Sequence, residues 1–225
     1  MFRDWLSVTG PLPEMKRTRI KICGITNIRD AESAVVSGAD ALGFNLFEGS
    51  ARYVDAITAA EMVAGLPPYV SSVGLLVNHT AREVESILNK VSFDLLQFHG
   101  DETNEFCKRF GVPFIKALRV ENVDEIRARV EAFEDSKGIL LDAFVAGEFG
   151  GTGVTFDWHS LPDIGKDIVL AGGLNASNVA EAIQKVKPFA VDVSGGVEST
   201  KGRKDKNKIV SFIQAVKSAD IEVYS

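Results

Sequence analysis

Of the two cysteines in the chain, one lies where a thiol could do chemistry. Cys23 ends the short run Arg19–Cys23, and a glycine follows it directly. A thiol that is partly ionised near neutral pH can remove a proton from carbon, so Cys23 is a candidate general base whose pKa its surroundings must lower. The alternative role is that of a small buried hydrophobic residue. We assign that role to Cys107, which lies within a helical segment.

A carboxyl group and a guanidinium group offer complementary chemistry. Asp142 ends an apolar run, where it either caps a loop or acts as a proton donor. Arg52 lies in a predicted loop, and a guanidinium group can bind a carboxylate through two parallel hydrogen bonds, although loop arginines are usually solvated. Asp142 is therefore the candidate general acid, and Arg52 a candidate ligand for an anionic group of a substrate.

Three glycine-rich clusters lie in the last third of the chain. Glycine lets backbone N–H groups approach a phosphate closely, and a helix that begins behind the loop adds a favourable dipole. One such cluster is typical of an ordinary turn, but three together indicate a phosphate-bearing substrate held mainly by backbone amides. The predicted phosphate ligands are Gly151, Thr152, Gly153, Gly172, Gly173, Ser194, Gly195 and Gly196.

Neither a metal nor a cofactor is predicted. The three histidines, His79, His99 and His159, do not have the spacing of a zinc site, and no acidic cluster suggests magnesium. No Gly-x-Gly-x-x-Gly fingerprint for a dinucleotide follows the first predicted strand.

Eight short runs rich in β-branched and aromatic residues alternate with helical segments from Arg19 onwards. Most are near-continuous apolar stretches, as in parallel strands that are buried on both faces. Their count and even spacing predict a single (βα)8 barrel, a TIM barrel with eight parallel strands, rather than an open doubly wound sheet. The runs are Arg19–Cys23, Ala41–Asn45, Val70–Val77, Phe93–Phe98, Pro113–Leu118, Gly138–Ala143, Asp167–Ala171 and Phe189–Val193.

In such a barrel the active site lies at the C-terminal ends of the strands, here called the barrel mouth. Cys23 and Asp142 each end a predicted strand, and loops after strands seven and eight are the recurrent phosphate site of this fold. We therefore expect the polar residues near the strand ends to converge on the mouth. Besides those already named, they are Asn45, Asn78, Gln97, His99, Lys116, Arg119 and Asp192.

Composition and charge restrict the class of protein. With 45% hydrophobic and 25% charged residues, the chain is globular, and its net charge of −6 does not favour nucleic acid or an anionic membrane. We predict one barrel domain over residues 19–225, preceded by a loosely ordered extension over residues 1–18 without the pattern of a secretory signal. Two cysteines suit a reducing cytosol, so a cytoplasmic protein is expected.

Collinear motifs from about Arg19 to the end resemble those of the phosphoribosylanthranilate isomerase family. The first is Lys21-Ile22-Cys23-Gly24-Ile25-Thr26, and the later ones follow in the family's order. They are Gly38-Ala39-Asp40-Ala41-Leu42-Gly43-Phe44, Ser50-Ala51-Arg52-Tyr53, Gln97-Phe98-His99-Gly100-Asp101-Glu102, Leu140-Leu141-Asp142, Gly150-Gly151-Thr152-Gly153 with Phe156-Asp157-Trp158, Ala171-Gly172-Gly173-Leu174 and Val191-Asp192-Val193-Ser194-Gly195-Gly196-Val197-Glu198.

The resemblance implies a cofactor-free Amadori rearrangement of a small phosphorylated substrate in tryptophan biosynthesis. It implies that Cys23 is the general base, Asp142 the general acid and Arg52 the residue that faces the anthranilate carboxylate. The glycine clusters match the family's phosphate site. Gln97, His99 and Asp192 are expected to contact the substrate, and the chain is expected to be a monomer or a homodimer.

Alternative functions remain open at this stage. A histidine-pathway Amadori isomerase is expected to use two aspartates as its acid and base. An indole-forming barrel is expected to have a catalytic lysine at the end of strand one. Cys23 takes this position in the present chain. A non-catalytic binding module is the most distant alternative. One departure from the family pattern lies before Arg52, where Phe47-Glu48-Gly49-Ser50 lacks the common Pro-Lys pair and places an acidic residue near the mouth.

Overall fold

A computed structural model describes residues 17–119, 123–142 and 164–224 of the 225-residue chain. Eight parallel strands follow one another in chain order and close into a barrel, since β1 pairs with both β2 and β8. This confirms the predicted (βα)8 fold. The strands are β1 (Arg19–Cys23), β2 (Ala41–Asn45), β3 (Ser71–Leu76), β4 (Leu95–Phe98), β5 (Phe114–Arg119), β6 (Gly138–Asp142), β7 (Ile168–Ala171) and β8 (Ala190–Val193).

Helices connect the strands on the outside of the barrel. They are α1 (Ile28–Ser37), α2 (Ala56–Ala64), α3 (Ala81–Leu88), α4 (Asn104–Lys108), α5 (Val123–Glu131), α6 (Val179–Val186) and the long terminal α7 (Lys206–Tyr224). Between β8 and α7 lie a 3₁₀ turn, Gly195–Val197, and the two-stranded pair β9 (Glu198–Thr200) and β10 (Arg203–Lys204). Within the described ranges, no helix is both long and apolar enough to cross a membrane.

The helix ends follow from local side-chain chemistry. A capping box begins α3, where the Thr80 side chain accepts from the Glu83 N–H and the Glu83 carboxylate accepts from the Thr80 N–H. Asp55 caps α2, because its side chain accepts from the N–H groups of Ile57 and Thr58. Gly38 ends α1 with φ 105°, a left-handed conformation that favours glycine.

Alternation along the strands separates two buried layers. In β1, Ile20 and Ile22 pack among the helices of the outer layer. A second cluster fills the barrel interior, and its members come from alternate positions of β5 to β8. These are Ile115, Ala117, Leu140, Val169, Ala171 and Ala190. By the same alternation Lys21, Cys23, Gln97, Asp142 and Asp192 face the interior.

The prediction for Lys116 is wrong. Its neighbours Ile115 and Ala117 belong to the interior cluster, so Lys116 points outward and is buried beneath the helices. Its Nζ lies 2.8 Å from Glu102 Oε2 and also donates to the Gly100 carbonyl. The same carboxylate accepts from the backbone N–H groups of Asn78 and Gly100. Lys116 therefore stabilises the loops after β3 and β4 from behind rather than facing the mouth.

Two residues from the end of the predicted extension are bound to the barrel. Arg17 donates to the Asp40 carboxylate, and Thr18 is buried with its backbone N–H and hydroxyl on Asp220, at 2.9 and 2.7 Å. These contacts tie the start of β1 to α7 and to the turn before β2. The remainder of the predicted extension, residues 1–16, lies outside the described residues, as does the segment 158–161, for which the sequence alone suggests a short helix.

Candidate active site

Cys23 lies at the end of β1 with its sulfur inside the barrel. Only 7% of the residue is exposed. On the neighbouring strand β2 the paired residue is Gly43, and a Cβ built there would lie 2.8 Å from Cys23 Sγ and 3.0 Å from Lys21 Nζ. The thiol and the ammonium group therefore meet across the bare backbone of Gly43. The space that they occupy exists because β2 carries no side chain at this position.

Lys21 and Asp192 form a buried ion pair beside the thiol. Lys21 Nζ lies 3.0 Å from Asp192 Oδ1, and both side chains are almost completely buried. The two residues are paired in the register of β1 with β8, so the bond joins neighbouring strands directly. Burial favours the neutral amine, but the charges of Asp192 and Cys23 outweigh it, and the pKa of Lys21 is raised. Lys21 is therefore a permanent cation next to Cys23.

The pKa of Cys23 is not lowered, contrary to our expectation from the sequence. Burial raises it, and the positive charge of Lys21 opposes this effect without cancelling it. The Asp192 carboxylate adds to the rise, whereas the more distant Lys204 opposes it. The surroundings thus contain a cation that favours the thiolate, but burial dominates and favours the neutral thiol.

Asp142 ends β6 on the inner face and lies next to a histidine from β4. His99 Nε2 is 3.5 Å from Asp142 Oδ2, and both side chains are partly open to solvent. Gln97, two residues before His99 and fully buried, places its amide nitrogen 3.1 Å from His99 Nδ1. Gln97 therefore orients the imidazole that faces Asp142. Within the described residues, Gln97 Oε1 has no hydrogen-bond partner.

Arg52 is placed at the mouth, but a protein carboxylate already binds it. Its Nε and Nη2 donate to Glu198 at 2.7 and 2.8 Å, which uses two of the five guanidinium N–H groups. Glu198 is buried and also accepts from Lys204 Nζ at 3.0 Å. Burial would raise the pKa of Glu198, but the two cations outweigh it and lower that pKa. Glu198 therefore orients Arg52 and leaves three of its donors for a substrate.

Ser50 fixes the loop that carries Arg52. Its Oγ accepts hydrogen bonds from the Asn45 side-chain amide at 2.9 Å and from the Arg52 backbone N–H at 3.1 Å. Gly24, which has φ 75°, lies directly below the arginine, since a Cβ there would be 2.5 Å from Arg52 Cδ. These contacts hold Arg52 over the end of β1 although the loop lacks the common Pro-Lys pair.

The loops after β7 and β8 come together as predicted. Gly172 and Gly173 have φ of 89° and 64°, in the left-handed region. Gly196 lies so close to the loop after β7 that a Cβ would be 1.9 Å from the Leu174 carbonyl. Ser194 approaches Gly24, at 3.0 Å from a Cβ built there, and Gly195 approaches Arg52 Nη2. The third cluster, with Gly151, Thr152 and Gly153, lies outside the described residues.

A cavity of about 460 Å³ opens at the mouth on the side of β3 to β5. Its wall includes His99, which also faces Asp142, and the basic side chains of Arg119 and Arg129. The volume falls within the range of small-molecule sites. The part of the chain that the structure describes contains no group of three or more histidine, cysteine, aspartate or glutamate residues placed to hold a metal ion.

Comparison with known proteins gives the same assignment as the motifs. The family model described as N-(5'-phosphoribosyl)anthranilate (PRA) isomerase matches residues 20–215. An N-(5'-phosphoribosyl)anthranilate isomerase from Acidithiobacillus ferrooxidans is 50% identical over 203 residues, which cover 90% of this chain and 99% of the relative. The chain belongs to this isomerase family. The resemblance inferred from the motifs is thereby confirmed.

Solved structures of the isomerase family share the fold. A crystal structure of phosphoribosyl anthranilate isomerase from Thermotoga maritima has 39% sequence identity and a TM-score of 0.81, covering 89% of this chain and 99% of the other. A second is a complex of the family's enzyme with reduced 1-(o-carboxyphenylamino)-1-deoxyribulose 5-phosphate, with 37% identity, a TM-score of 0.77 and the same coverage of both chains. The described barrel is thus the barrel of these isomerases.

The sequence analysis did not single out Lys21, Glu198 or Lys204 as residues of the candidate site, although all three lie in or near the family motifs. Lys21 could have been found, because a residue two positions before Cys23 on a strand shares its face. Glu198 contacts Arg52 across 146 positions of sequence, and Lys204 reaches the site from β10. No local pattern predicts these two contacts.

Proposed function

We propose that Cys23 and Asp142 are the general base and the general acid of this isomerase. The reaction is the Amadori rearrangement of N-(5-phosphoribosyl)anthranilate to 1-(2-carboxyphenylamino)-1-deoxyribulose 5-phosphate, an aldose–ketose isomerisation in tryptophan biosynthesis. One observation carries the proposal. The thiol and the carboxyl group both end strands, β1 and β6, on the inner face of one barrel, where a single sugar ring can lie between them.

The first step opens the ribose ring. Asp142, in its protonated form, gives a proton to the ring oxygen as the bond from that oxygen to C1′ breaks. The lone pair of the anthranilate nitrogen forms the new C=N bond, so the intermediate is a protonated Schiff base. His99, 3.5 Å from Asp142 and held by Gln97, faces this carboxyl group.

The second step moves a proton from carbon. The Cys23 thiolate takes the proton from C2′, so that an S–H bond forms and the C2′–H bond breaks. The electron pair becomes the C1′=C2′ double bond and neutralises the Schiff base. In the resulting enolamine C1′ gains a proton and the 2′-hydroxyl loses one, so the C1′=C2′ double bond becomes the C2′=O bond of the ketose. The thiol gives up one proton and the Asp142 carboxylate regains one, which restores both groups. Because acid and base act on neighbouring atoms, the substrate must be held at both ends.

The remaining residues are proposed to bind the carboxylate and phosphate ends of the substrate and its sugar. Arg52, with three N–H donors beyond those on Glu198, binds the anthranilate carboxylate. The glycine loops, with Ser194, bind the phosphate through backbone amides. Gln97 Oε1 is buried with no partner among the described residues, so it can accept a hydrogen bond from a sugar hydroxyl. Asp192 and His99 complete the predicted contacts with the sugar.

Loss of the fluorescence of anthranilate measures turnover directly. We expect Cys23→Ala and Asp142→Asn each to lower kcat by roughly 10²- to 10⁴-fold, the usual effect of losing general acid or base help. Cys107→Ala is the matched control, since it removes the other thiol, which is buried in α4 away from the mouth. A folded Cys23→Ala or Asp142→Asn variant with near-normal kcat would contradict the proposal.

Two further predictions concern the cell and the assembly. We propose a cytoplasmic location and a monomer or homodimer. Sedimentation of the purified chain distinguishes the two assemblies, and a larger oligomer would contradict the second prediction.

A further inference from the structure

We infer that Lys21 is a positioning residue for the reaction: its ammonium group stabilises the Cys23 thiolate, and Asp192 holds it in place. This inference rests on the proposed role of Cys23 as general base. It adds a residue whose side chain contacts the reacting group rather than the sugar. It also gives Asp192 a role beyond the substrate contact proposed above.

Among the described residues, Lys21 lies between the Asp192 carboxylate and the Cys23 thiol. Its side chain is in the barrel interior and 4% exposed, far from bulk water. A charged ammonium is retained at such a position only where carboxylates or other acceptors surround it. The described partners are Asp192 at 3.0 Å and the thiol across Gly43. A fold needing only a filled barrel interior could use an apolar residue here, as it does at Leu140 and Val169.

Lys21 cannot itself be the base. Burial would lower its pKa, but Asp192 and Cys23 raise it above the ordinary value of lysine, so its nitrogen has no free lone pair at neutral pH. It therefore acts as a fixed positive charge throughout the cycle. Its positive charge stabilises the thiolate before proton transfer, and its bond to Asp192 remains when the thiol has become neutral.

The charges around Cys23 have opposite signs and therefore opposite effects on the acidity of its thiol. Lys21 and Lys204 favour the thiolate, and Asp192 disfavours it. Among the residues that the structure describes, Arg52 is the remaining charged group that interacts with the thiol, and it is bound to Glu198. Removing the charge of Lys21 must therefore make the thiol less acidic, whereas removing the charge of Asp192 must make it more acidic. A purely structural role for the pair predicts the same direction for both variants.

The pH dependence of thiol alkylation tests this directly. Iodoacetamide reacts with the thiolate, and a Cys107→Ala background restricts the reaction to Cys23. At pH 7 we expect Lys21→Met to slow alkylation and to lower kcat/KM by about 10-fold or more, because an opposite charge at this range has been lost. Lys21→Arg keeps the charge and should retain most of the alkylation rate. Asp192→Asn removes the negative charge but keeps a side-chain oxygen that accepts from Lys21, so it should speed alkylation, although we expect a lower kcat from the loss of the proposed substrate contact.

Lys116→Met is the control for breaking a buried ion pair. Lys116 is as deeply buried as Lys21 but lies on the outer face with Glu102. The Lys116→Met variant should be less stable than wild type, whereas the rate and pH midpoint of Cys23 alkylation should be unchanged.

Two results would overturn the inference. One is an unchanged alkylation profile in Lys21→Met, and the other is slower alkylation in Asp192→Asn, which decides the question alone if Lys21→Met does not fold. Either result leaves the proposed function intact if Cys23→Ala is inactive. A fully active Cys23→Ala variant instead removes the proposed function itself.

Discussion

Arg52 and Glu198 form a bidentate ion pair that joins the loop after β2 to the short strand β9, 146 positions later. Lys204 donates to the same carboxylate and to the Ser194 carbonyl, at 3.0 and 3.1 Å. The arginine proposed for the anthranilate carboxylate and the serine proposed for the phosphate are thus linked by one buried network. Both ends of the substrate site depend on Glu198.

Arg52→Ala should mainly weaken substrate binding. We expect KM to rise about 10- to 100-fold with a smaller change in kcat, the usual effect of losing hydrogen bonds between charged groups. Steady-state fluorescence assays over a range of substrate concentrations separate the two constants. Arg52→Lys, which keeps the charge but not the paired donors, should lie between wild type and Arg52→Ala. An unchanged KM in Arg52→Ala would remove its assignment as the carboxylate ligand.

Glu198→Gln should lower stability in a pH-dependent way. Because the pKa of Glu198 is lowered in the folded protein, its contribution is present above the unfolded pKa and is lost as the pH falls through the folded one. At pH 7 we expect the free energy of unfolding to fall by about 1–3 kcal/mol, the effect of removing a buried charged partner. Urea unfolding should show the difference from wild type narrowing below about pH 4.3, the ordinary glutamate pKa. A difference independent of pH would contradict this.

Gly43→Ala should disrupt the base without touching a catalytic side chain. The new methyl group would lie 2.8 Å from Cys23 Sγ and 3.1 Å from its backbone Cα, so the strand or the thiol must move. We expect kcat to fall at least about 10-fold, since small displacements of reacting groups are costly. Gly111→Ala is the matched control, because it lies away from the mouth with open space around it, although φ is 68°. It should lower stability and keep kcat; a Gly43→Ala variant with normal kcat would show that the thiol tolerates displacement.

The raised pKa of Cys23 predicts the pH profile of the uncomplexed enzyme. In the proposed mechanism the thiolate is the active form, and burial favours the thiol, so kcat/KM should increase with pH from neutral into the alkaline range. Cys107 does not contribute, because burial raises its pKa to about 12. Rates at substrate concentrations well below KM, measured from pH 6 to 9 in buffers of constant ionic strength, give this profile. A profile that is flat over that range would mean that the free enzyme already holds a thiolate.

The barrel and the positions of Cys23 and Asp142 at strand ends could be predicted from the sequence, because both depend on local patterns. Eight apolar runs define the strands, and Cys23 and Asp142 each end one of them. The same reasoning failed at Lys116, where position in the run was considered without its parity relative to Ile115 and Ala117. Parity along a strand decides whether a side chain enters the mouth or the helical layer.

Two features could not be predicted in the same way. The pairing of Arg52 with Glu198 depends on how loops from opposite ends of the chain meet, and no spacing encodes it. The direction of the Cys23 pKa depends on a balance between burial and the charges of Lys21 and Asp192. The sequence contains both charged residues, but only coordinates give the depth of burial that decides the sign.

The Lys21–Asp192 bond also connects the first strand of the barrel with the eighth. A nascent chain that ends before β8 carries the cysteine and the lysine but lacks the aspartate that fixes their geometry. The ion pair beside the proposed base is thus completed only when β8 closes the ring.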